Sequence, residues 1–525
     1  MRQKRLGGLF AAAVFLLCAV MTGTYLIAGY GAYLDSDMAS ELALASHLAE
    51  EGKLISGTWV YSTEVRVLST QLIFTPLMAL FPHDWRLVRT LGCLILQGIL
   101  AASAYFCGRA LGADKKFSLL FAGLSISACS VVYAQMVTIG AYYVPHAVLT
   151  NLCVGMTARL MRMEKGKKRA VLGALLLLMG ASSIRYPFCA TIPVAAAGLW
   201  AYIFPSGAES APRTRAQGAR TMLTLAVCAV SVAGFAVGQR ILGRVCLYDA
   251  ARYDADMPGT IQQALGGLAR LMGYSERSVL LSAHGLVSVG ALLLPAAAAV
   301  LLARTLKAAR ENQSDVLRFG ALTLAMSAAI TALSFVLLEG LYLNRYWIPL
   351  MTLGAPVMAA CLTGETNAPL RRGCALLFAG VVLTASAMQI TSTMKHPEIT
   401  DVQRERAAFL QESGLTFGYA TFWNANVITE LTNGEVEAVG ISIAQNEKGQ
   451  GVPRVSEWLE AQENRRMERP DERVFMLLTE AESERLDDFL KKSGAQARCT
   501  RDGMTAYEIE SQRIFFETAQ AMDTP

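Results

Sequence analysis

The chain has 525 residues, of which 53% are apolar and 17% charged, with a net charge of +5. Soluble domains carry roughly 25% charged residues, so a soluble enzyme, a disordered chain, a collagen-like repeat and a small disulfide scaffold are all excluded. The basic residues sit in short clusters between apolar blocks and form no continuous basic face, which argues against nucleic-acid binding.

A membrane-spanning helix needs about 20 mainly apolar residues. Residues 6–28 form the first such block, behind Arg2, Lys4 and Arg5. It is longer than the apolar core of a cleavable signal and predicts a retained anchor. A long loop, 31–87, follows. It opens Tyr33-Leu34-Asp35-Ser36-Asp37 and continues as an amphipathic helix from Met38 to Glu51, with Met38, Leu42, Ala45, Leu48 and Ala49 on one face. Gly52 is a natural stop. The pattern predicts a helix lying on the membrane surface, apolar side down. Thr58–Arg66 is an aromatic-rich turn region that supplies Glu64 and Arg66, and Leu68–Leu80 is a second amphipathic run containing Pro76.

Two readings of Asp35-Ser36-Asp37 stand at this level. Asp and Ser are favoured helix N-caps, and negative charge suits a helix N-terminus. Carboxylates fixed at one depth beside a membrane would also serve a general base acting on a membrane-bound substrate.

Further apolar blocks lie at 88–110, 117–134, 145–162, 170–184, 187–204, 220–243, 281–303, 317–340, 346–363 and 373–393. With the first they predict eleven spans. If the N-terminus is cytoplasmic, the basic clusters at 109–116, 159–169, 213–220, 304–318 and 371–372 all fall inside, as the positive-inside rule requires, and most carboxylates of the connections fall outside. An odd count then places the C-terminus outside.

Tyr142 and Tyr143 lie at the outer end of one span, as cavity-lining or interface-belt residues. The turn Ser183-Ile184-Arg185-Tyr186-Pro187 joins two short apolar arms. An arginine there either snorkels to the interface or serves a function that offsets its insertion cost of roughly 2.5–3.5 kcal/mol. Asn344-Arg345-Tyr346-Trp347-Ile348-Pro349 opens a span from the outer side, as an aromatic anchor or as a second outward-facing cation, with Glu339 a candidate partner for Arg345.

From residue 396 the composition becomes polar, and helix-like and strand-like runs alternate. Leu415–Phe422, Glu435–Ile443 and Arg473–Thr479 read as strands; Asn424–Leu431, Val455–Arg466 and Glu480–Ser493 read as helices. Gln496–Cys499 and Thr505–Ile509 pair through Arg501-Asp502-Gly503. The fold class expected is a mainly α polytopic membrane protein, residues 1–395, with a C-terminal extracytoplasmic α/β domain, residues 396–525. In that domain Trp423, Asn424 and Asn426 suit either sugar contact or a helix start with a buried Trp. Nine of the eleven cysteines, all but Cys246 and Cys499, lie in apolar blocks, and there is no CxxC, HExxH, GxxxxGK[ST] or post-strand GxGxxG. Structural zinc and a nucleotide-driven pump are therefore not expected.

Asp37, Glu41, Gly52, the aromatic stretch with Ser62-Thr63-Glu64, and the second helix with Pro76 together resemble the first loop of the polytopic GT-C glycosyltransferases. The nearest types are the family 39 proteins, the aminoarabinose transferases and the RgtA/B/C/D-like bacterial members. Met38 stands where the usual Asp-Glu pair has its Glu, and the spacing to Gly52 favours Asp37 over Asp35 as base. The architecture matched covers residues 1–395; the motif covers about fifty residues.

The resemblance implies a bacterial cytoplasmic-membrane enzyme using a polyprenyl-phosphate sugar, with membrane lipids as surroundings and an extracytoplasmic acceptor. It implies catalytic Asp37 or Asp35; Arg185, Arg345 and Arg66 at the lipid phosphate; and Glu64, Tyr142, Tyr143 and Tyr346 in the same cavity. The resemblance also implies that metal use varies among such enzymes, and Asp35, Asp37 and Glu64 could gather a divalent cation, Mg or Mn, with hard oxygen ligands. A multi-span transporter or lipid flippase with an accessory domain is the alternative. Such a protein would place ionisable groups near mid-membrane, which this sequence scarcely does.

Overall fold

The computed structural model describes residues 2–31, 33–62, 65, 67–162, 167–205, 215–242, 257–276, 278–312, 315–337, 344–395, 398–501 and 503–523. Glu64, Arg66, Glu339 and Cys246, singled out above, lie outside the described residues.

The first part of the chain is helical: α1 (Arg2–Ala28), α2 (Ser36–Glu51), α3 (Gln71–Leu80), α4 (Trp85–Leu111), α5 (Lys115–Ser125), α6 (Val131–Tyr133), α7 (Val144–Arg162), α8 (Lys167–Ser182), α9 (Ile192–Ile203), α10 (Arg215–Leu242), α11 (Met257–Leu271), α12 (Ala283–Asn312), α13 (Asp315–Leu337), α14 (Ile348–Gly364) and α15 (Ala368–Lys395). Among the described residues seven helices are long and apolar enough to cross a membrane, and an eighth crossing results if Val131–Ile139 and Val144–Arg162, bent by 80°, form one broken span. The chain is thus an integral membrane protein by composition.

Each of the eleven predicted blocks is largely helical, but not each is a full-length helix. The block 117–134 breaks after Ser125, where Ser127 Oγ bonds back to Gly123 O at 3.2 Å and Ser130 Oγ accepts the Tyr133 N–H at 3.1 Å to start a new helix. The arms 170–184 and 187–204 are short helices, Arg169–Ser182 and Pro187–Ile203. Helix α11 has no counterpart in the sequence reading; its strong amphipathicity went unread because it follows a polar stretch.

Helix α2 starts where expected: Asp35 is its N-cap, accepting the Met38 N–H at 2.9 Å, and Gly52 ends it at φ +64, its N–H bonding to Ala49 O. Its environment differs from the expectation. Met38, Leu42, Ala45 and Leu48 are fully buried in protein, because α2 packs against α3 on one side and the C-terminal domain on the other. The apolar stripe specified a covered face; periodicity alone does not say whether lipid or protein covers it.

The C-terminal domain begins with α16 (Glu398–Glu412) and contains β2 (Phe417–Thr421), α17 (Phe422–Leu431), β3 (Glu437–Gln445), β4 (Gly451–Val455), β6 (Val474–Thr479), α18 (Glu480–Arg485), α19 (Asp487–Lys492), β7 (Gln496–Arg501), β8 (Met504–Ile509) and α20 (Gln512–Asp523). The sheet order is β4-β3-β2-β6-β8-β7, with β2 parallel to β3 and β6 and the remaining pairs antiparallel. Along β6 the side chains alternate: Val474, Met476 and Leu478 join one core cluster, Phe475 and Leu477 another, so both faces are covered.

Val455–Arg466, expected as a helix, is instead an extended finger. Its Glu460–Ala461 segment, β5, pairs antiparallel with β1 (Trp59–Val60) of the first long loop, Val60 opposite Glu460 and Trp59 opposite Ala461. Tertiary pairing overrides the local helical pattern there.

Candidate functional site

Helix capping sets the first side chain. With Asp35 spent on the Met38 N–H, the next acid, Asp37, falls in the first turn of α2 and lines a cavity of about 190 Å³. Burial pushes the Asp35 carboxyl up to about 6, against the lowering effect of its backbone bond to Met38. The capping reading of Asp35-Ser36-Asp37 holds for Asp35, and Asp37 is the carboxylate that faces the cavity.

The π-helical turn Ala134–Ile139 and the kink at Gly140-Ala141, where Ala141 takes φ +57, put Tyr142 and Tyr143 on the cavity wall before α7 begins. The turn between the short arms supplies Arg185, whose Nη1 donates to Tyr143 Oη at 3.0 Å. Its guanidinium stands 5.8 Å from the Tyr143 ring centre and 5.6 Å from that of Tyr346. The 3₁₀ turn Asn344–Trp347 carries Arg345 and Tyr346 into the same cavity, and Arg345 Nη1 lies 3.6 Å from Asp37 Oδ2. Trp347, instead of anchoring at a lipid interface, is buried and donates to Ala264 O of α11 at 3.1 Å.

The structure thus brings Asp37, Arg185, Arg345, Tyr142, Tyr143 and Tyr346 into one cavity. It does not bring Asp35 there. Nor do the described residues assemble a metal-ligand set: Asp35 is engaged as a cap, Asp37 faces a guanidinium, and no group of three or more His, Cys, Asp or Glu side chains converges.

Four further residues were not assigned to the site from sequence, Glu41 having been named only as part of the loop motif. Glu41, one turn after Asp37, lines the cavity and is held by α3: Gln71 Nε2 donates to its Oε2 at 3.1 Å, and Thr70 Oγ1 donates to the same oxygen. Arg89, in the first turns of α4, is fully buried; it donates to both oxygens of Glu430 in α17, to Met38 O at 2.8 Å and to Ile139 O at 3.2 Å. An arginine inside an apolar block was the available signal. Trp458 and Leu459, in the finger misread as a helix, close the cavity from the C-terminal domain. The sugar-contact candidates Trp423, Asn424 and Asn426 do not line it: Trp423 is exposed, Asn424 Nδ2 donates to Thr421 Oγ1 and Asn426 is buried.

No protein-family profile matches the sequence, and no curated protein does. Solved structures do resemble it. The crystal structure of ArnT from Cupriavidus metallidurans, bound to undecaprenyl phosphate, superposes with a TM-score of 0.55 over 96% of this chain and 99% of that one, at 11% identity. The archaeal oligosaccharyltransferase AglB from Archaeoglobus fulgidus, in complex with an inhibitory peptide and a dolichol-phosphate, gives 0.50 over 96% of this chain and 74% of that one, at 10% identity. At such identity the likeness is one of fold: the chain shares the architecture of these structures, membrane helices and C-terminal domain together.

Proposed function

We propose that this chain is a membrane glycosyltransferase that moves a sugar from a polyprenyl-phosphate donor to an extracytoplasmic acceptor. One observation carries the reading: in a chain of GT-C fold, a carboxylate and two guanidinium groups share one cavity, with Asp37 and Arg345 only 3.6 Å apart. Fold alone does not give function. This constellation supplies a proton acceptor beside a site for an anionic leaving group.

In the reaction proposed, Asp37 takes the proton of an acceptor hydroxyl or amine as that group attacks the anomeric carbon. The new bond forms on the face opposite the breaking C–O bond, so configuration inverts. The electron pair of that C–O bond leaves on the lipid phosphate, whose growing charge meets Arg345 and Arg185, with Arg66 a further candidate. Tyr143 orients Arg185 through its hydroxyl and ring. The basic clusters of the connections support eleven spans in all, with the N-terminus cytoplasmic and the C-terminal domain on the far side of a bacterial cytoplasmic membrane.

The test is sugar transfer from a labelled polyprenyl-phosphate sugar in membranes carrying the wild-type chain or Asp37→Asn. Loss of transfer in the variant is expected. Transfer at full rate in the variant would refute the base, and solute uptake without transfer in the wild type would refute the enzyme. A reporter fused after Pro525 that proves cytoplasmic would overturn the topology.

A further inference from the structure

The cavity is longer than the reaction centre requires. Asp37 in the first turn of α2 and Leu48 near its end both line it. The eleven-residue step from one to the other corresponds to about 16 Å of helix axis at 1.5 Å per residue. Both described arginines on the wall belong to the Asp37 end: Arg345 contacts Asp37, and Arg185 contacts Tyr143 and Tyr346. The other end differs in chemistry. Leu44, Leu48, Tyr61 and Val65 pack there with Ala461 of the finger, and Ser62, next to Tyr61, and Trp458, three residues before Ala461, also line the cavity.

Trp458 is displayed on a rigid mount. Before it, Ser456 N–H bonds to Gly440 O at 2.7 Å. After it, Leu459 sits in the left-handed region at φ +53, uncommon for a branched residue. Beyond that, Glu460 Oε2 accepts the Gly440 N–H at 3.0 Å, its Oε1 accepts Asn464 Nδ2 at 2.9 Å, and Gln462 N–H bonds to Thr58 O at 2.7 Å. The finger is tied on both flanks of the tryptophan, yet Trp458 keeps 37% of its surface exposed and lines the cavity. Strain held at a cavity wall by surrounding bonds is characteristic of ligand clamps.

We propose that this end of the cavity is a subsite for a carbohydrate ring of the acceptor, with Trp458 as the stacking platform. The inference rests on the glycosyl-transfer reading and names its acceptor class. A pyranose offers an apolar C–H face and a rim of hydroxyls. The wall offers an indole face, leucine side chains and the hydroxyl of Ser62, the combination of apolar lining and few polar groups that orients a neutral ligand. Acceptor choice then resides in the C-terminal domain, and bond chemistry in the membrane part.

The test uses the full-length chain in nanodiscs, labelled with 5-fluorotryptophan, with Trp458→Phe assigning the Trp458 fluorine resonance. The probes are chitotriose, mannotriose and maltotriose, a neutral serine-rich peptide, and undecaprenyl phosphate. The expected result is a saturable shift of the Trp458 resonance with at least one trisaccharide and none with undecaprenyl phosphate. Binding of that trisaccharide should weaken at least tenfold in Trp458→Ala, less in Trp458→Phe, with unchanged melting of both variants. No shift with any trisaccharide, or a shift only with the peptide or the lipid phosphate, overturns the subsite. Failure of the transferase reading looks different: the trisaccharide binds and shifts the Trp458 resonance, yet membranes carrying the wild-type chain transfer no sugar from any polyprenyl-phosphate donor.

Discussion

Arg89 and Glu430 form a fully buried, two-pronged ion pair between α4 and α17, with Nε–Oε1 at 2.5 Å and Nη2–Oε2 at 2.6 Å. Tyr30 Oη donates to the same carboxylate at 3.1 Å, and Nη2 of Arg89 also holds Met38 O, the carbonyl next to Asp37. The pair therefore fastens the C-terminal domain to the membrane helices and fixes the first turn of α2 at the same time. Removing one partner leaves a buried charge alone, which costs roughly 3–5 kcal/mol, whereas replacing both by apolar groups of similar size is often neutral. Glu430→Ala should lower the melting temperature sharply. Arg89→Met with Glu430→Met should regain most of that loss. Transfer should stay low in the double variant, because the Met38 carbonyl has lost its donor. Melting curves and transfer rates on the same preparations check both parts.

Asp37 and Arg345 predict a different signature. Loss of a general base costs typically 10²–10⁴ in rate. Asp37→Asn should fall in that range with donor binding retained. Loss of one group that stabilises leaving-group charge costs about 10²–10³. Arg345→Ala should fall by that much, and Arg345→Lys should recover only part, because an ammonium cannot make the paired contacts of a guanidinium. Single-turnover rates at saturating donor separate these effects from binding.

How much of this was legible beforehand follows from the reach of each signal. Asp35, Asp37 and Gly52 could be placed from sequence because caps and stops act within one helical turn. Arg185 and Arg345 stood out because cations beside apolar blocks are costly. That they meet Asp37 in one cavity depends on contacts across more than a hundred residues of sequence, which no local pattern encodes. The finger at 456–465 was misread for the same reason: its conformation is set by β1, four hundred residues earlier. Glu430 carried no signal at all, since an acid in a polar domain looks solvated until its partner is known.

Gly140 gives a steric prediction. A methyl group there would come within 2.4 Å of Gln135 O, 2.8 Å of the Tyr142 ring and 2.9 Å of the Met38 side chain. Overpacking of this kind costs typically 1–3 kcal/mol. Here it would push against both Tyr142 on the cavity wall and Met38 in the first turn of α2. Gly140→Ala should lower both stability and transfer. Gly354→Ala, inside α14 with nothing within 4 Å of the added methyl, should be neutral or stabilising by about 0.5–1 kcal/mol. Melting temperatures of the two variants side by side test the contrast.

The last prediction concerns pH. Burial pushes the Glu460 carboxyl up from 4.5 to about 7, with the Glu437 charge adding to it and the N–H bonds from Gly440, Asn464 and Ala461 opposing it. A carboxyl whose folded value lies above its unfolded value makes the folded chain hold a proton that the unfolded chain releases. Between pH 4.5 and 7 the folded state then binds more protons, so stability falls as pH rises through that window and levels off above it. The full difference is on the order of 3 kcal/mol. Glu460→Gln cannot titrate, and its difference from wild type isolates this group from Asp35, whose raised value slopes the same way in both chains. Melting temperatures of the full chain in nanodiscs from pH 4.5 to 8.5 should show wild type losing stability relative to Glu460→Gln as pH rises. A difference that stays constant across the range would mean that Glu460 is charged throughout, and that the three N–H bonds outweigh its burial.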